Sequence, residues 1–318
     1  MDIGRTLDTE ISEAGELRNM VQITEEENYS FINFLSKFKI LRFFYKSQEV
    51  IERITIEAIE DAAKDNVRYL ELRFSPAALS QTEGFLVEDV IRWVSGATKK
   101  AEQLFSVKTR LIVSVNRNES VELAEYIIQS AIDHKSDGVL AVDLAGDEVN
   151  YPGLEFTEIF REARQSGLKV SIHAGEWSGP INIRNAICLM NTDRIGHGVR
   201  ILEDLSTVSI AKERQIPFEV CITSNYLSGV VNSHSVHPFS RMLELGLNVT
   251  INTDDPSICG INLSNEYKFV KFSLGITLPI LFKRIKAAAE AAFLPYLEKN
   301  ILLQSLSMEL DKLSLSFL

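Results

Sequence analysis

The sequence predicts an α/β fold, a TIM-type (β/α)8 barrel that lacks its first strand, and three observations lead to this prediction. Short runs rich in Val, Ile and Leu alternate with longer amphipathic stretches, a pattern typical of parallel strands joined by helices. Polar residues follow most of these runs, and a barrel builds its active site from the C-terminal ends of its strands. A nucleotide-binding fold would instead show a Gly-rich first turn, and neither GxGxxG nor GxxxxGK[ST] is present.

The apolar runs predict seven strands, one fewer than a complete barrel. They are Val67–Phe74, Arg110–Val115, Gly138–Leu144, Leu168–His173, Arg194–Gly196, Phe218–Cys221 and Leu247–Asn252. Their continuous apolar character suits strands that are buried on both faces. No convincing strand precedes the first of these runs, so we expect the two sheet edges to lack a partner.

The amphipathic stretches between the runs predict helices. They are Val87–Phe105, Glu119–His134, Phe156–Gly167, Pro180–Met190, Leu205–Arg214 and Phe239–Leu245. Outside the alternating region, Ile51–Asp65 predicts a helix, Phe31–Tyr45 a helix and a loop, and Ala287–Leu318 further helix. No linker or low-complexity tract interrupts the chain, so residues 1–318 are expected to form one domain.

Composition restricts the possible partners. The 33 basic and 44 acidic residues give a net charge of −11, which argues against nucleic acid as a partner because phosphate binding needs clustered Lys and Arg. No secretory signal and no apolar window of about 18 residues is present, so no membrane association is expected. The three cysteines have no CxxC spacing, which favours a reducing, cytoplasmic location.

Two predicted strands end in a histidine. In Ser171–Glu176 (SIHAGE), His173 is followed by Glu176, a pairing suited to metal binding and acid–base chemistry. In Arg194–Val199 (RIGHGV), glycines flank His197 and leave room for a ligand beside the imidazole. A structural histidine remains the alternative at both positions.

Adjacent carboxylates follow the last predicted strand, in Thr250–Pro256 (TINTDDP). Two such carboxylates repel each other in a pocket unless a metal, a proton or a substrate separates their roles. Asp254 or Asp255 is therefore a candidate metal ligand. The alternative is that one of them caps the next helix, with Pro256 in its first turn.

Two further strand ends carry polar residues. Asp143–Glu148 (DLAGDE) contains Gly146, whose backbone could contact a flat ligand. The alternative interpretation of this string is a turn with two solvated acidic residues. Thr223–Tyr226 (TSNY) offers hydroxyl and amide groups that could support the site through hydrogen bonds. Loop capping is the alternative for these residues.

Taken together, the strings HAGE, IGHG, TSN, LAGDE and NTDDP resemble the adenosine deaminase family of the amidohydrolase superfamily. The resemblance runs from about residue 30 to the C-terminus and itself implies a (β/α)8 barrel. It also implies a Zn²⁺ cofactor that activates a water to attack C6 of a purine. By this resemblance His173 and Asp254 are zinc ligands, Glu176 protonates N1, and His197 orients or deprotonates the water.

The resemblance also implies how a purine nucleoside is bound. Asp255 would contact N7, and the backbone N–H of Gly146 would contact N3. Phe31–Phe38 is similar to the family segment whose apolar side chains cover the ribose and base. Adenosine or 2′-deoxyadenosine is the expected substrate, with adenine or a modified adenosine as alternatives.

The sequence departs from the family in one respect. Family members begin with a strand that ends in a His-x-His pair of zinc ligands, whereas the first of the five histidines here is His134. His234 and His237 are interpreted as solvated loop residues that do not replace the pair. We expect weak zinc binding, and we interpret the chain as N-terminally truncated relative to the family. A shortened paralogue that binds a nucleoside or a protein without turnover is the competing hypothesis.

Overall fold

The computed structural model describes the backbone of residues 14–316 and the side chains of residues 17–314. Its centre is one parallel sheet of seven strands that pair in chain order. The strands are β1 Tyr69–Phe74, β2 Lys108–Asn116, β3 Val139–Ala145, β4 Lys169–Ala174, β5 Arg194–His197, β6 Pro217–Val220 and β7 Asn248–Ile251. All seven predicted strands are confirmed, and their ends shift by no more than two residues.

Helices connect the strands and cover the sheet. They are α1 Ala14–Val21, α2 Phe31–Leu41, α3 Gln48–Lys64, α4 Pro76–Ser80, α5 Val87–Leu104, α6 Val121–Asp133, α7 Thr157–Gln165, α8 Pro180–Cys188, α9 Leu205–Glu213, α10 Ile222–Leu227, α11 Phe239–Glu244, α12 Pro256–Cys259, α13 Leu263–Phe272, α14 Leu278–Ala291 and α15 Tyr296–Ser316. Each predicted helix is present. The end of the predicted C-terminal helical segment, residues 317–318, lies outside the described residues.

Local sequence signals begin several of these helices. Ser30, Ser47 and Ser120 precede α2, α3 and α6, and each hydroxyl accepts a hydrogen bond from the backbone N–H three residues later. Near the C-terminus, Pro295 separates α14 from α15 because it has no N–H to continue a helix. None of the helices in residues 14–316 combines the length and apolarity needed to cross a membrane.

The sheet curls into an open barrel. This is shown by side chains of β1, which contact side chains of distant strands. Arg73 Nη2 in β1 lies 2.7 Å from Glu219 Oε2 in β6. In a flat sheet these strands would be about 24 Å apart, at about 4.8 Å for each neighbouring pair. The predicted TIM-type α/β fold is therefore confirmed.

The open side of the barrel lies between β7 and β1. Among the described residues, β1 pairs with β2 and β7 pairs with β6, as expected for a missing strand. Asn252 N bonds to Val220 of β6, so Val249 faces the open side, because alternate residues of a strand bond to opposite sides. Arg284 of α14 donates a 3.0 Å hydrogen bond to Val249 O. A side chain thus satisfies a carbonyl that a neighbouring strand would otherwise bind.

The chain between α14 and α15 closes the other end of the barrel. The Phe293 ring centroid lies 3.5 Å from the guanidinium carbon of Arg194, the first residue of β5. The backbone N–H of Phe293 donates to Glu71 Oε1 over 2.6 Å. Arg194 also contacts Glu71 and Glu219 at 2.5 and 2.7 Å, so its buried charge is balanced by two carboxylates.

The Glu219 carboxylate predicts how stability depends on pH. Burial raises the pKa of Glu219, but Arg194 and Arg73 outweigh burial and lower the pKa from 4.5 to about 2. A lowered carboxyl pKa stabilises the folded state above the unfolded value, and this contribution is lost as the pH falls from 4.5 toward 2. We expect Glu219→Gln to lower the free energy of unfolding at pH 7 by about 3 kcal/mol, because it removes the carboxylate that Arg73 and Arg194 share and leaves each with one acidic partner, Asp143 and Glu71.

The measurement is urea unfolding at a series of pH values between 7 and 2. The variant should also lose less stability than the parent chain between pH 4.5 and 2. Glu244→Gln is the matched control, because it removes a carboxylate that pairs with Arg241 on the exposed surface, and we expect a loss of about 1 kcal/mol at most. An unchanged pH dependence in Glu219→Gln would contradict this account of the buried pairs.

Candidate active site

The candidate residues lie at one rim of the barrel, at the C-terminal ends of its parallel strands. His173 lies near the end of β4, His197 is the last residue of β5, and Asp254 follows β7. Parallel strands end on the same side of a sheet, and the curl of this sheet brings the ends of non-adjacent strands together. One ligand atom from each of these three side chains lies within 4.8 Å of the others.

The orientation of His173 is set by a buried carboxylate. Its Nδ1 lies 3.0 Å from Asp143 Oδ1, and the Asp143 side chain is fully buried. Burial raises the pKa of Asp143, but Arg73 and His173 outweigh burial and lower it to about 2, so the carboxylate is an acceptor. Nδ1 therefore donates, and Nε2 retains the lone pair that a metal requires. Arg73 Nη1 lies 3.4 Å from this Nε2.

Two of the candidate residues adopt left-handed backbone conformations. The φ angles of His197 and Asp254 are 55° and 59°, values that residues with a side chain seldom adopt. Such strain persists only where the surrounding structure holds it, and it is frequent at functional sites. His197 Nε2 lies 3.5 Å from Glu176 Oε2 and 4.0 Å from Asp254 Oδ2.

Glu176 is a buried carboxyl group beside these residues. Burial raises its pKa well above 4.5, and the nearby charges of Asp254 and Glu148 raise it further. Its Oε1 lies 3.5 Å from the hydroxyl of Ser228. A carboxyl group with a raised pKa keeps its proton to higher pH and can donate it, which is the property that a general acid needs.

Glu148 holds the loop that carries Glu176. Its carboxylate is almost completely buried and accepts four backbone N–H groups, those of Gly175, Glu176, Trp177 and Ser178, over 2.6–2.9 Å. Asn182 Nδ2 adds a fifth contact at 3.2 Å. The reading of the LAGDE string as a turn with solvated acids is thus wrong for Glu148, because its partners lie on the next strand's loop.

The adjacent carboxylates after β7 have different surroundings. Asp254 Oδ2 accepts a 2.6 Å hydrogen bond from Ser224 Oγ. Asp255 occupies the cap position of α12, yet its side chain makes no capping hydrogen bond, so the capping alternative is wrong for Asp255. Burial and then the charge of Asp254 raise the pKa of Asp255 well above 3.8. The pKa of Asp255 is therefore shifted toward the protonated form by its surroundings.

Glycines shape the site in two places. A Cβ at Gly196 would lie 2.9–3.1 Å from atoms of His173, too close for a side chain. The glycine therefore makes room for the imidazole of the neighbouring strand, whereas we expected it to clear space beside His197. Gly146 follows β3 with a φ of 92°, which glycine adopts without strain.

His237 supports the site but was not identified as a site residue from the sequence. His237 was expected to be a solvated loop residue, and that is wrong, because it is only 4% exposed and contacts Asn225. The TSN string does supply supporting hydrogen bonds, from Ser224 to Asp254 and from Asn225 to His197. No local pattern could have indicated His237, because its partner in this contact lies twelve residues earlier on another element.

An aromatic contact covers the rim. The ring of Phe31, the first residue of α2, lies 5.6 Å from the ring of Trp177, which directly follows Glu176. The backbone N–H of Ile23, in the segment between α1 and α2, bonds to Ile258 O in α12 over 3.0 Å. The segment from Ile23 to α2 thus reaches two loops of the rim.

Comparisons with known proteins agree with this arrangement. The sequence model of the family described as adenosine deaminase matches residues 1–309. An adenosine deaminase of Clostridium botulinum is 35% identical over 288 residues, which are 90% of this chain and 85% of that protein.

Solved structures are also similar. An amidohydrolase of Burkhoderia ambifaria with bound Zn is 26% identical, with a TM-score of 0.86 over 96% of this chain and 84% of that one. The N6-mAMP deaminase of Arabidopsis is 25% identical, with a TM-score of 0.83 over 94% of this chain and 88% of that one.

The contacts of Glu148 predict a large effect of a small substitution. Glu148→Gln replaces a carboxylate that accepts several N–H groups with an amide that has one acceptor oxygen. We expect the free energy of unfolding to fall by about 3 kcal/mol, because buried donors lose their acceptor. Urea denaturation measures the change. Glu155→Gln, on the exposed turn nearby, is the control and should change stability by about 0.5 kcal/mol at most. Equal stability of the two variants would contradict the bracing role of Glu148.

Proposed function

Because the chain belongs to the adenosine deaminase family and is a hydrolase of the deaminase type, we propose that it converts adenosine or 2′-deoxyadenosine to inosine or 2′-deoxyinosine and ammonia. The observation that supports this most strongly is the convergence of His173, His197 and Asp254 at one rim, with the buried Glu176, whose pKa is raised, beside them. These groups match the needs of hydrolytic deamination, a nucleophilic water and a proton for the leaving group.

Zinc is the proposed cofactor, and the donor atoms at this rim are of the types that it binds. Imidazole nitrogen and carboxylate oxygen are ligands that zinc takes in catalytic sites, and His173 Nε2 and Asp254 would hold the ion. When bound, zinc supplies a Lewis acid that lowers the pKa of a water molecule. The guanidinium of Arg73 lies beside the same imidazole nitrogen, and its positive charge opposes a metal there.

The remaining residues are proposed to act on the purine and the water. Glu176, protonated because it is buried, would donate a proton to N1 and make C6 more electrophilic. His197, whose Nε2 lies 3.5 Å from Glu176 Oε2, would orient the attacking water. Asp255, also neutral, would donate a hydrogen bond to N7, and the Gly146 N–H would donate to N3. The α2 segment that starts at Phe31 would cover the ribose and base.

A second candidate function is favoured by the same position of Arg73. If its charge prevents stable metal binding, the barrel would hold a nucleoside or a protein without turnover. The test is to purify the chain, measure its zinc content by mass spectrometry, and follow the release of ammonia, or of methylamine from N6-methyl-AMP, with and without added zinc. Adenosine, 2′-deoxyadenosine, adenine and N6-methyl-AMP form the substrate panel.

The outcomes separate the two functions. Zinc-dependent release of ammonia from adenosine supports the deaminase, and a preference for another member of the panel would change the substrate and retain the chemistry. No turnover of any aminopurine at saturating zinc would rule out deamination. In that case, calorimetric binding of adenosine in the presence of a chelator would support the binding protein.

Glu176→Gln tests the proposed acid. We expect kcat for adenosine to fall by about 10²–10⁴-fold with little change in KM, because protonation of N1 assists the transition state and contributes little to binding. Steady-state ammonia release measures both constants. Glu162→Gln on the exposed surface of α7 is the control and should leave both unchanged. Activity in Glu176→Gln equal to that of the control would remove Glu176 from this role.

A further inference from the structure

A chain of three hydrogen bonds connects the backbone of α11 to the candidate active site. The Phe239 N–H donates to His237 Nδ1 over 3.1 Å. His237 Nε2 lies 3.2 Å from Asn225 Oδ1, and Asn225 Nδ2 lies 3.1 Å from His197 Nδ1. The three side chains are at most 4% exposed, so water does not compete for these contacts.

The backbone N–H fixes the direction of every bond in this chain. A backbone amide can only donate, so His237 Nδ1 must be the acceptor. Burial lowers the pKa of His237 to about 3, so the ring is neutral and its one proton lies on Nε2. That proton is donated to Asn225 Oδ1, which turns the amide nitrogen of Asn225 toward His197. Asn225 Nδ2 then donates to His197 Nδ1.

The Phe239 N–H also excludes the arrangement in which every donor and acceptor of this chain is reversed. If the Asn225 amide were flipped, its nitrogen would face the Nε2 proton of His237, and two donors would oppose each other. Moving the His237 proton to Nδ1 would only transfer this conflict to the Phe239 N–H. An unsatisfied buried donor costs about 1–3 kcal/mol, so the observed direction prevails.

We propose that Asn225 and His237 are positioning residues that hold His197 in the tautomer with its proton on Nε2. This nitrogen faces the site, 3.5 Å from Glu176 Oε2 and 4.0 Å from Asp254 Oδ2. His197 therefore presents a hydrogen-bond donor to the place where a water would attack. The catalytic role of this donor rests on the proposed deaminase function. The tautomer of His197 does not depend on that function.

The tautomer also decides which residues can hold a metal. A nitrogen that carries a proton has no lone pair for a metal, so His197 Nε2 is unavailable although it lies near the two other candidate ligands. His173 differs, because Asp143 accepts its Nδ1 proton and leaves Nε2 free. The hydrogen-bond partner of each ring thus makes one histidine a metal ligand and the other a donor.

The direct test is histidine nitrogen NMR of the metal-free protein at pH 8. Selective ¹⁵N labelling of histidine separates protonated from unprotonated ring nitrogens, and His197→Gln assigns the signals. We expect His197 to be protonated on Nε2 and His173 on Nδ1. A His197 ring that is protonated on Nδ1 would overturn the proposal.

Asn225→Asp is the decisive variant. Aspartate only accepts, so it would take the Nε2 proton of His237 on one oxygen and require His197 to donate from Nδ1 on the other. The tautomer of His197 should then reverse in the NMR spectrum, and Nε2 should become a third metal ligand. We expect the zinc affinity of the variant, measured by competition with a chromogenic chelator, to rise about 10–100-fold.

Asn191→Asp is the matched control. It adds the same charge at an exposed position outside this hydrogen-bond chain, and we expect neither the tautomer nor the zinc affinity to change. An equal rise in zinc affinity in both variants would show a general charge effect and contradict the positioning role. A folded Asn225→Asp variant that keeps the Nε2 proton on His197 would also overturn the proposal.

Variants of His237 provide a second test if Asn225→Asp does not fold. His237→Gln retains a donor toward Asn225 and an acceptor toward Phe239, so the His197 tautomer should be preserved. His237→Phe removes the donor, so Asn225 can turn and His197 should populate both tautomers. Identical His197 spectra in these two variants would overturn the proposal. These spectra need no substrate. The tautomer of His197 can therefore be determined even if the chain shows no deaminase activity.

Discussion

The contact between Arg73 and Glu219 is the interaction on which the rest of the structure depends. It joins β1 to β6 across the barrel, and Glu219 also binds Arg194 of β5 and the Ser171 hydroxyl of β4. A buried charge without a partner costs several kcal/mol, so these strands are held where their charges meet. Because Arg73 also lies beside His173, the contact that joins β1 to β6 also places a cation next to the candidate metal ligand.

Burial then decides the charge states at the rim. It is the largest cause of the raised pKa of Glu176 and of the lowered pKa of His197, which falls to about 4. The acid therefore keeps a proton that it can donate to higher pH than a free carboxyl group, and the imidazole is neutral and able to exist as one of two tautomers. Water is largely excluded from these side chains, so their hydrogen-bond partners set where each proton lies.

Much of the fold could be predicted from the sequence, because its signals are local. The continuous apolar runs, separated by amphipathic stretches, predicted every strand of residues 14–316. Residues at strand ends, such as His173 and Asp254, could be found for the same reason, since the position of a strand end in the chain indicates its position at the rim. The partners of these residues could not be found. Glu148 acts on a loop 27–30 positions away, and Asn225 meets His197 28 positions away.

By itself, the sequence determined the order of strands and helices, the residues that stand at the strand ends, and the lack of a His-x-His pair before residue 134. Those features depend on neighbouring residues and on the period of the apolar pattern. The tertiary structure alone decided which atoms face each histidine nitrogen, and that the pKa values of Asp255 and Glu176 are raised. These properties depend on burial and on hydrogen-bond partners, and both exist only after distant parts of the chain have come together.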